Sequence, residues 1–318
     1  MQLAVRAVGL NFADIFACLG LYSATPSGSF VPGLEAAGIV TAVGAPLPGH
    51  PAYECGERVL ALTRFGGYAT ALNVDTRYLA PIPADWSFEQ AAAYPVQALT
   101  AWYGLLRLGA ARKGSVVLVQ SAAGGVGLQA LAMLARIGAR AVAVVGREAK
   151  VRFLRERSEL PDACLVVRGG DGYAARLDAA LAAHGATGFD IVFDAVLGDG
   201  FRPAFERLAP EGRYVLFGAA DFMPSGSSRN WLRLAWQWLR RPQLDPLAMI
   251  STNRTFMGFN LIWLWDAVER VPDAYAALAA LDLPPPHVGN RYPFAAARRA
   301  LDELKAGQTV GKSVLCVD

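Results

Sequence analysis

Between residues 116 and 258, short apolar runs alternate with longer stretches that are rich in alanine and leucine. The runs, which we predict as strands, are Val116–Val119, Ala141–Val145, Cys164–Val167, Ile191–Phe193, Tyr214–Phe217 and Thr255–Gly258. The stretches between them that favour helices include Leu128–Ile137, Tyr173–His184 and Phe201–Leu208. Runs that are apolar throughout are typical of parallel strands covered on both faces. The pattern therefore predicts an α/β fold with a doubly wound parallel sheet.

The part of the chain before residue 84 has a different pattern, in which strand-like fragments alternate with turns rich in glycine and proline. The fragments are Gly38–Val43, Arg58–Leu62 and Tyr68–Leu72. Short strands punctuated in this way indicate a small β-rich domain. Ser87 and Gln90 then match a helix capping box, and the helical region that they begin is interrupted by Pro95 and resumes through Leu108. We place the crossover to the second domain there.

The last part of the chain is predicted to return to the first domain. Pro284–Pro286 break the chain after the final strand of the α/β region, and a strand, the helix Phe294–Ala306 and the strand Ser313–Val317 follow. The predicted division is residues 1–94 for the β-rich domain, 95–260 for the parallel-sheet domain and 261–318 for the return.

A glycine-rich segment, Ser121–Gly127, lies between the first of these strands and the helix that follows it. Clustered glycines allow the backbone to approach a ligand closely and the helix to pack tightly on the strand. The free N–H groups and positive dipole end of that helix face the segment. We therefore predict that Ala123, Gly124, Gly125 and Val126 hold the pyrophosphate of a dinucleotide. A parallel-sheet domain without a nucleotide is the alternative, because a fold does not by itself define a function.

Charged residues after the second and third of these strands indicate which dinucleotide fits. An acidic residue at the end of the second strand would bind the ribose 2′-hydroxyl of NAD, whereas the 2′-phosphate of NADP needs cations. Here Gly146 and Arg147 end the second strand, Lys150 follows one helical turn later, and Arg168 closes the third strand. Glu148 is the competing signal, but it falls in the first turn of a helix, where acids are favoured anyway. We therefore predict NADP rather than NAD.

Composition and charge restrict the class of protein. The 318 residues are 54% hydrophobic with a formal net charge of +3, which supplies a large core and is too weak a charge to favour nucleic acid. The four cysteines lie apart without a Cys-x-x-Cys pair, as in a reducing compartment, and no zinc signature is present. No uncharged apolar run approaches the roughly 18 residues of a membrane helix, and the first residues lack a secretion signal. We expect a cytoplasmic protein.

Residues 225–246 combine tryptophan with arginine in a way that allows two interpretations. The residues are Arg229, Trp231, Arg233, Trp236, Trp238, Arg240 and Arg241. A basic aromatic helix can lie on an anionic membrane. The apolar positions Trp231, Leu232, Leu234, Ala235, Trp238 and Leu239 also form an ordinary packed stripe, at the edge of a ligand cleft or in a dimer contact. We prefer the packed interpretation and keep weak peripheral membrane contact as the alternative.

Five motifs are spread along the chain, namely Gly9–Asp14, Val31–Gly38, Gly56–Val59, Ala122–Gly127 and Val310–Leu315. Together they resemble the motifs of the zinc-free quinone oxidoreductases, a group of the medium-chain dehydrogenase/reductase superfamily. Four further segments, Arg229–Trp231, Asn253–Arg254, Gly258–Leu261 and Pro286–Val288, are similar to the branch of that group named after a synaptic vesicle membrane protein. The resemblance covers essentially the whole chain.

This resemblance implies a GroES-like catalytic domain and a Rossmann domain, with NADPH and substrate meeting in the cleft. It also implies a homodimer, in which Thr255–Gly258 pairs with its counterpart across a two-fold axis. Members of the group carry a further N-terminal stretch before the equivalent of Met1, which forms the first strands of the catalytic domain. Without that stretch a sheet edge is exposed. We therefore keep a non-catalytic NADPH-binding protein, acting through a partner, as one alternative.

The chemistry implied by the resemblance uses no metal. Zinc alcohol dehydrogenases carry a cysteine near the position of Asn11 and a histidine at the position of Leu34. Alcohol oxidation is therefore not expected, because no Lewis acid would polarise the alcohol. The implied reaction is hydride transfer from NADPH to a quinone or to the β-carbon of an α,β-unsaturated carbonyl, substrates that already possess an electron sink. Reduction of enoyl thioesters is the alternative reaction.

Family position also assigns roles to individual residues. It points to Asn11 and Tyr22 as catalytic groups near the substrate oxygen, and to Asp14 as a third candidate that orders their loop. Each has a plainer interpretation, which is a turn for Asn11, a mobile aromatic lid for Tyr22 and a helix cap for Asp14. Cofactor contacts are implied for Asn11, Thr100, Phe217, Gly218, Phe259, Leu261 and Lys312, although Thr100 also suits a helix interior.

Overall fold

The computed structural model describes residues 1–45, 47–223, 235–236 and 238–317, with the side chains of 264–266 excepted. The chain divides into two compact units, unit 1 formed by Met1–Leu99 with Leu261–Asp318 and unit 2 formed by Thr100–Asn260. The division predicted from the sequence places the first boundary after residue 94 and the second after residue 260. The motif Arg229–Trp231 lies outside the described residues.

Strands and helices are numbered in chain order over the described residues. The strands are β1 Gln2–Gly9, β2 Glu35–Ala42, β3 Arg58–Leu62, β4 Ala71–Asn73, β5 Leu79–Pro81, β6 Val116–Gln120, β7 Arg140–Val145, β8 Leu165–Val167, β9 Phe189–Asp194, β10 Leu208–Leu216, β11 Thr255–Gly258, β12 Val288–Pro293 and β13 Lys312–Cys316. The helices are α1 Phe12–Cys18, α2 Phe88–Ala92, α3 Pro95–Trp102, α4 Gly125–Arg136, α5 Glu148–Arg155, α6 Tyr173–Ala183, α7 Phe201–Glu206, α8 Pro246–Thr252, α9 Arg270–Ala280 and α10 Ala297–Lys305.

Unit 1 is built on a mostly antiparallel sheet with the strand order β12-β13-β1-β2-β3-β5, in which β4 also pairs with β1. The sheet joins both parts of the unit, because β13 from the end of the chain pairs with β1 from its beginning. Gly38 permits the close pairing of β1 and β2, since a Cβ at this position would lie 2.3 Å from the carbonyl oxygen of Ala4. The predicted return of the chain to the first domain therefore takes the form of a shared sheet.

Unit 2 is built on an all-parallel sheet with the strand order β11-β10-β9-β6-β7-β8. This is the order of a Rossmann dinucleotide-binding sheet. Strands β7 and β8 extend the sheet on one side of β6, and β9, β10 and β11 extend it on the other side. Large side chains such as Phe189, Leu118 and Tyr214 are completely buried against the sheet. Each of the six apolar runs predicted as strands forms one, so the predicted doubly wound parallel sheet is confirmed.

Three strand predictions were wrong at their boundaries. Strand β2 begins at Glu35 rather than Gly38, because Glu35, Ala36 and Ala37 already pair with β3. Strand β10 begins at Leu208 rather than Tyr214, because its pairing with β9 is interrupted between Leu208 and Arg213, where Glu211 has φ of 65°. Residues 209–213 therefore do not form a continuous apolar run, and the sequence pattern located only the later part of the strand. Strand β4 begins at Ala71 rather than Tyr68, since the backbone N–H of Tyr68 instead donates to the carbonyl of Pro32 at 2.9 Å in a turn.

The apolar stripe predicted in residues 225–246 is described only in part. Of the six stripe positions, the structure describes Ala235, Trp238 and Leu239, and all three are exposed. The other three, Trp231, Leu232 and Leu234, lie outside the described residues. The packed interpretation is therefore wrong for the three described positions as regards cover from within the chain.

The connection between the units begins with the predicted capping box. The backbone N–H of Ser87 donates to Gln90 Oε1 at 2.8 Å, and the N–H of Gln90 donates to Ser87 Oγ at 3.2 Å. Helix α2 follows, and Pro95 stands at the first position of α3, where its missing N–H costs no helical hydrogen bond. The chain continues as a π-helix over Tyr103–Leu108. Across the described ranges, no helix has both the length and the apolar character needed to cross a membrane.

Candidate functional site

The glycine-rich turn of unit 2 joins β6 to α4. Gly124 is the N-cap of α4, and its own N–H donates to the carbonyl of Ser121 at 2.9 Å. A Cβ on Gly127 would lie 2.4 Å from that same carbonyl oxygen, so only glycine allows α4 to start this close to the strand. The first N–H groups of a helix have no partner within the helix. The predicted residues Ala123, Gly124, Gly125 and Val126 therefore lie where an anion such as a pyrophosphate is favoured.

Three basic residues gather beside the carboxyl ends of β7 and β8. Arg147 is the N-cap of α5, Lys150 lies in the first turn of that helix, and Arg168 follows β8 with its N–H donating to the carbonyl of Val145 at 2.7 Å. The pKa of Lys150 is lowered by its partial burial and by repulsion from Arg147 and Arg168. The structure thus brings together the three cations that the sequence singled out.

The side chain of Arg168 runs between two glycines. A Cβ on Gly146 would lie 3.7 Å from Arg168 Nη2, and a Cβ on Gly200 would lie 3.1 Å from both Arg168 Cδ and Gln120 Nε2. Arg168 Nη1 and Gln120 Oε1 are buried and have no hydrogen-bond partner among the described residues. A side chain at Gly200 would therefore require the side chains of Arg168 and Gln120 to move by about a few tenths of an ångström.

Asp194, at the end of β9, is a buried carboxylate of unit 2 that sequence reasoning missed. It accepts hydrogen bonds from the hydroxyl of Tyr214 at 2.5 Å and from the N–H groups of Val196 at 2.7 Å and Leu197 at 3.1 Å. Burial raises its pKa, while these bonds and the charge of Arg168 oppose the rise. The sequence feature that could have identified Asp194 is its position at the end of the apolar run Ile191–Phe193. A carboxylate buried at such a position needs hydrogen-bond donors from the surrounding protein.

The predicted nicotinamide-side residues of unit 2 lie after β10 and β11. The rings of Phe217 and Phe259 stack with centroids 6.0 Å apart, and the N–H of Phe259 donates to the carbonyl of Leu216 at 3.0 Å. A Cβ on Gly218 would lie 2.7 Å from the carbonyl oxygen of Ala195, so glycine is needed for this close approach. Thr100 is buried within α3. The carboxyl ends of neighbouring strands thus bring Phe217, Gly218 and Phe259 together.

Unit 1 contains a buried polar network around Asn11. Lys312 Nζ donates to Glu35 Oε1 at 2.5 Å and to Asn11 Oδ1 at 2.7 Å. Gln97 Nε2 donates to the same two oxygens at 3.2 Å and 2.8 Å. Asn11 Nδ2 donates to Glu35 Oε1 at 2.9 Å and to the carbonyl of Gly9 at 3.4 Å. The carboxamide of Asn11 is therefore held at both ends.

Charge balance explains why this network tolerates burial. The side chain of Lys312 is 4% exposed and that of Glu35 is 0% exposed, so each ion is the other's main partner. Desolvation lowers the pKa of Lys312, and the neighbouring carboxylate opposes this effect. Glu35 Oε2 also accepts from the N–H of Val96 at 2.8 Å, near the start of α3. The network thus ties together β2, β13 and the first turn of α3.

Asp14 has the geometry of a hydrogen-bond anchor. Its carboxylate accepts from the N–H of Asn11 at 2.8 Å, the N–H of Gly33 at 3.2 Å and the hydroxyl of Tyr68 at 3.1 Å. Complete burial raises the pKa of Asp14 to about 6, although the bond from the Asn11 N–H, the charge of Lys312 and the bond from Tyr68 act in the opposite direction. Asp14 joins the start of α1 to two separate turns of unit 1.

Two other predicted residues of unit 1 lie in different surroundings. Tyr22 is half-buried in the loop after α1, where its ring meets the edge of Phe65 with centroids 6.4 Å apart. Leu261 begins a 3-10 helix and is also half-buried. Their predicted roles at a substrate or cofactor stay predictions.

Sequence reasoning missed Glu35 and Gln97 as parts of this network, although Glu35 belonged to a motif that carried the resemblance. The available signal was the placement of two opposite charges in apolar strands, Glu35 in β2 and Lys312 in β13. Charged side chains are almost never fully buried without a partner. Such a pair is therefore a candidate contact even when 277 positions separate its members in the chain.

No group of three or more His, Cys, Asp or Glu side chains in the described ranges is arranged to hold a metal ion. Asn11 and Leu34 stand where zinc alcohol dehydrogenases carry zinc ligands, and both are buried. The carboxamide of Asn11 is hydrogen-bonded to Lys312, Gln97 and Glu35, and a leucine side chain has no atom that can bind zinc.

A GroES-like sheet in one unit, a Rossmann sheet in the other and a glycine turn at its first helix define a medium-chain dehydrogenase/reductase. The family described as "Alcohol dehydrogenase GroES-like domain" matches residues 1–84, and the family described as "Zinc-binding dehydrogenase" matches residues 171–315. The chain belongs to the medium-chain dehydrogenase/reductase superfamily of oxidoreductases, within the group that contains quinone oxidoreductases and the synaptic vesicle membrane protein VAT-1 homologues.

Individual relatives show how far this similarity extends. The human synaptic vesicle membrane protein VAT-1 homolog is 32% identical over 99% of this chain and 78% of its own length. The quinone oxidoreductase from Thermus thermophilus, solved with NADPH, is 31% identical, with a TM-score of 0.76 over 99% of this chain and 91% of that one. A highly reducing polyketide synthase from Aspergillus terreus is 31% identical over 99% of this chain but only 12% of its own length.

Proposed function

We propose that the chain is an NADPH-dependent reductase that delivers a hydride to a quinone or to the β-carbon of an α,β-unsaturated carbonyl. The observation that carries the proposal is the gathering of Arg147, Lys150 and Arg168 beside the glycine turn. The 2′-phosphate distinguishes NADPH from NADH, and cations rather than a carboxylate select it. The NADPH complex of the Thermus thermophilus enzyme supports the same cofactor.

Glu148 does not weaken this choice. It is the first residue of α5 and is exposed, a position where the helix dipole favours an acidic side chain whatever the ligand. Arg168 Nη1, for which the described part of the chain offers no hydrogen-bond partner, adds a donor to the cation group. The local charge beside the carboxyl ends of β7 and β8 therefore favours a phosphate over a ribose hydroxyl.

In this reaction the chain's own residues bind the cofactor and orient it. The N–H groups at the start of α4 hold the pyrophosphate and the three cations hold the 2′-phosphate. When bound, the dihydronicotinamide supplies a hydride with its two electrons. An enone would take the hydride at its β-carbon and a quinone would take it to become a hydroquinone anion, and in each case one proton from water would complete the reduction. Few catalytic side chains are needed, because the acceptor already stabilises the electrons that it receives.

We propose that zinc takes no part in this chemistry. The ligand positions hold Asn11 and Leu34, and the carboxamide of Asn11 is already bound by Lys312 and Gln97. Polarisation of an alcohol by a Lewis acid is therefore not available at these positions. An acceptor that needs no metal fits the residues present.

Within the buried network, Asp14 and Lys312 act as positioning residues for Asn11. Asp14 holds its backbone N–H, and Lys312 holds its Oδ1. Of the two bonds made by Asn11 Nδ2, the bond to the Gly9 carbonyl is the longer at 3.4 Å. We expect the bond to the Gly9 carbonyl to be the one that is replaced when a substrate binds, so that this N–H donates to the carbonyl oxygen of the substrate instead. In this way Asn11 would take the catalytic role that its family position implies.

The cofactor assignment is tested by the double substitution Arg147→Ala with Lys150→Ala. Loss of two charged contacts to the 2′-phosphate is expected to raise the Kd for NADPH at least about tenfold and to leave the Kd for NADH nearly unchanged. Arg155→Ala with Arg157→Ala is the matched control, because it removes the same charge at and just beyond the far end of α5. Equal losses for the two cofactors, or an equal effect of the control, would defeat the assignment.

A second candidate function is reduction of enoyl thioesters, favoured by the full-length match to a segment of a highly reducing polyketide synthase. Stopped-flow mixing with stoichiometric NADPH separates the candidates. Oxidation by quinones or simple enones supports the first function, and oxidation only by a crotonyl thioester supports the second. Tight binding of NADPH without oxidation by any of these acceptors would indicate a non-catalytic binding protein that acts through a partner.

A further inference from the structure

Three aromatic rings of unit 1 lie together on the two loops that follow α1 and β3. The ring of Phe65 is the central one, with its centroid 5.3 Å from that of Phe30 and 6.4 Å from that of Tyr22. Both pairs are T-shaped, with interplanar angles of 70° and 77°. We call these three residues the aromatic triad. All three side chains are half-buried, so the triad is not part of the closed core.

The backbone at Phe65 has a conformation that phenylalanine rarely adopts. Its φ of 70° lies in the left-handed region, which is an outlier for a bulky side chain but is open to glycine without cost. The chain is fixed on both sides of this residue. The N–H of Thr63 donates to the carbonyl of Leu34 at 2.8 Å, and the N–H of Gly66 donates to the carbonyl of Val31 at 2.7 Å. An aromatic ring is therefore present where the backbone favours glycine, and such outliers cluster at ligand-binding sites.

Asp14 connects both loops of the triad to Asn11. Its carboxylate accepts from the N–H of Asn11, from the N–H of Gly33 and from the hydroxyl of Tyr68. Gly33 and Tyr68 each lie three positions after a phenylalanine of the triad. A Cβ on Gly33 would lie 2.6 Å from the backbone N of Tyr68, so the two loops are packed closely against each other. One buried carboxylate thus fixes the loops of the triad relative to the candidate catalytic amide.

The two loops are apolar and carry little charge. Residues 20–34 contain no charged side chain, and Arg64 is the only one in residues 63–68. Phe12, directly after Asn11, is 38% exposed, and Val31 is 49% exposed. Large apolar side chains exposed beside a half-buried aromatic group indicate a binding surface for an apolar, uncharged group.

The aromatic character of the triad indicates which apolar group fits. The faces of phenylalanine and tyrosine rings carry negative potential. The rings of an aryl-fused quinone are electron-poor, because its two carbonyl groups withdraw electrons, so stacking on such a face is favourable. A saturated chain gains only the burial of its area. A flat, electron-poor ring system is therefore the best complement to the triad.

We propose that the aromatic triad binds a fused aromatic ring of the acceptor, so that the chain prefers naphthoquinone-type acceptors to monocyclic quinones. Phe65 and Phe30 contact the fused ring, while Asn11 donates to the carbonyl oxygen of the quinone. The two phenylalanines bind the acceptor and take no part in the transfer of hydride or proton. This inference rests on the proposed reductase function and adds the class of acceptor to it.

Two quinones that differ only in the fused ring test the proposal. They are 2,3-dimethyl-1,4-naphthoquinone and tetramethyl-1,4-benzoquinone, in which every position open to thiol addition is substituted, because Cys18 and Cys55 are exposed. Phe65→Leu and Phe30→Leu each remove an aromatic ring but keep a large apolar side chain. Phe65→Tyr keeps the ring. Phe294→Leu, at a half-buried phenylalanine of unit 1 outside the triad, is the matched control.

Steady-state kinetics with NADPH gives the ratio of kcat/KM for the naphthoquinone to that for the benzoquinone in each protein. We expect the ratio to exceed one in the wild type and to fall about fivefold in each leucine variant, through a higher KM for the naphthoquinone. Phe65→Tyr and Phe294→Leu are expected to keep the wild-type ratio. Leucine variants that keep that ratio, whether or not they are less stable to urea, would overturn the proposal, because the triad would then only pack the loops.

Calorimetric titration with the naphthoquinone in the absence of NADPH separates this inference from the function on which it rests. Binding that the leucine variants weaken about fivefold, without turnover by any of the proteins, would support the acceptor site and contradict the reductase. Turnover of both quinones with one ratio in every protein would support the reductase and overturn the acceptor site. Failure of the folded wild type to bind the naphthoquinone would also overturn it.

Discussion

At the scale of single residues, burial and neighbouring charge set the chemistry of the candidate groups. The cations Arg147, Lys150 and Arg168 were predictable because each lies just after a strand or in the first turn of the helix that follows it, and local sequence locates such positions. The partners of Asn11 were not predictable in the same way. They come from residues 35, 97 and 312, which are brought together only by the tertiary fold.

Asp14 provides a prediction about pH at this scale. Its pKa is about 6 in the folded chain against an ordinary value of 3.8, so the folded state holds the proton more tightly than the unfolded state. The stabilisation from this proton is therefore complete below the unfolded pKa and is lost as the pH rises through about 6. In the variant Asp14→Asn, the side chain at position 14 has no proton to gain or lose in this range.

We expect the free energy of unfolding of the wild type, relative to Asp14→Asn, to rise by about 1 kcal/mol when the pH is lowered from 7 to 5. Urea denaturation of both proteins across this range measures the difference. Because all other groups are common to both chains, their titration cancels. A difference that does not change with pH, or that falls as the pH is lowered, would show that the pKa of Asp14 is not raised in the folded chain.

At the scale of elements, the ion pair between Glu35 and Lys312 joins β2 to β13, and Glu35 also binds the first turn of α3. Sequence patterns located these elements, since β2 and β13 are short apolar runs between turns. They could not show which elements are neighbours. Strand β10 shows a second limit, because its irregular pairing before Arg213 breaks the apolar pattern from which strands are recognised.

We expect Lys312→Met to reduce the free energy of unfolding by about 3 kcal/mol, because it leaves a buried carboxylate without its cation. Glu35→Gln is also destabilising but keeps an acceptor for the N–H of Val96. The double variant should lose at least about 1 kcal/mol less than the sum of the two single losses, because it buries no unpaired charge. Chemical denaturation of all four proteins completes this cycle. Strict additivity would mean that the two groups do not depend on each other.

At the scale of the whole molecule, the alternation of strand and helix was sufficient to predict the parallel sheet. It did not give the strand order, because doubly wound sheets occur with more than one order. The return of the chain end to unit 1 was also visible, because a strand and a helix remain after Pro284–Pro286. Surface contacts are different. A tryptophan that packs in a core and one that faces another molecule have the same local sequence pattern, so the exposure of Trp238 had to come from the structure.

Assembly is predicted at this scale as a homodimer through β11. Among the described residues this strand lies at the edge of the unit 2 sheet, and an unpaired edge is a template for a second strand. We expect sedimentation equilibrium to show a dimer for the wild type and a shift toward monomer for Met257→Lys, because lysine on an edge strand opposes pairing. A wild-type chain that sediments as a monomer at all concentrations would contradict the prediction.

The central claim is that the glycine turn and the adjoining cations of unit 2 select NADPH. Titration calorimetry of the full chain with NADPH and, separately, with NADH tests it most directly. The account predicts one NADPH bound per chain with a Kd at least about tenfold lower than that for NADH, since only NADPH carries the phosphate that the cations bind. Equal affinity for the two, or no binding of either by folded protein, would contradict it.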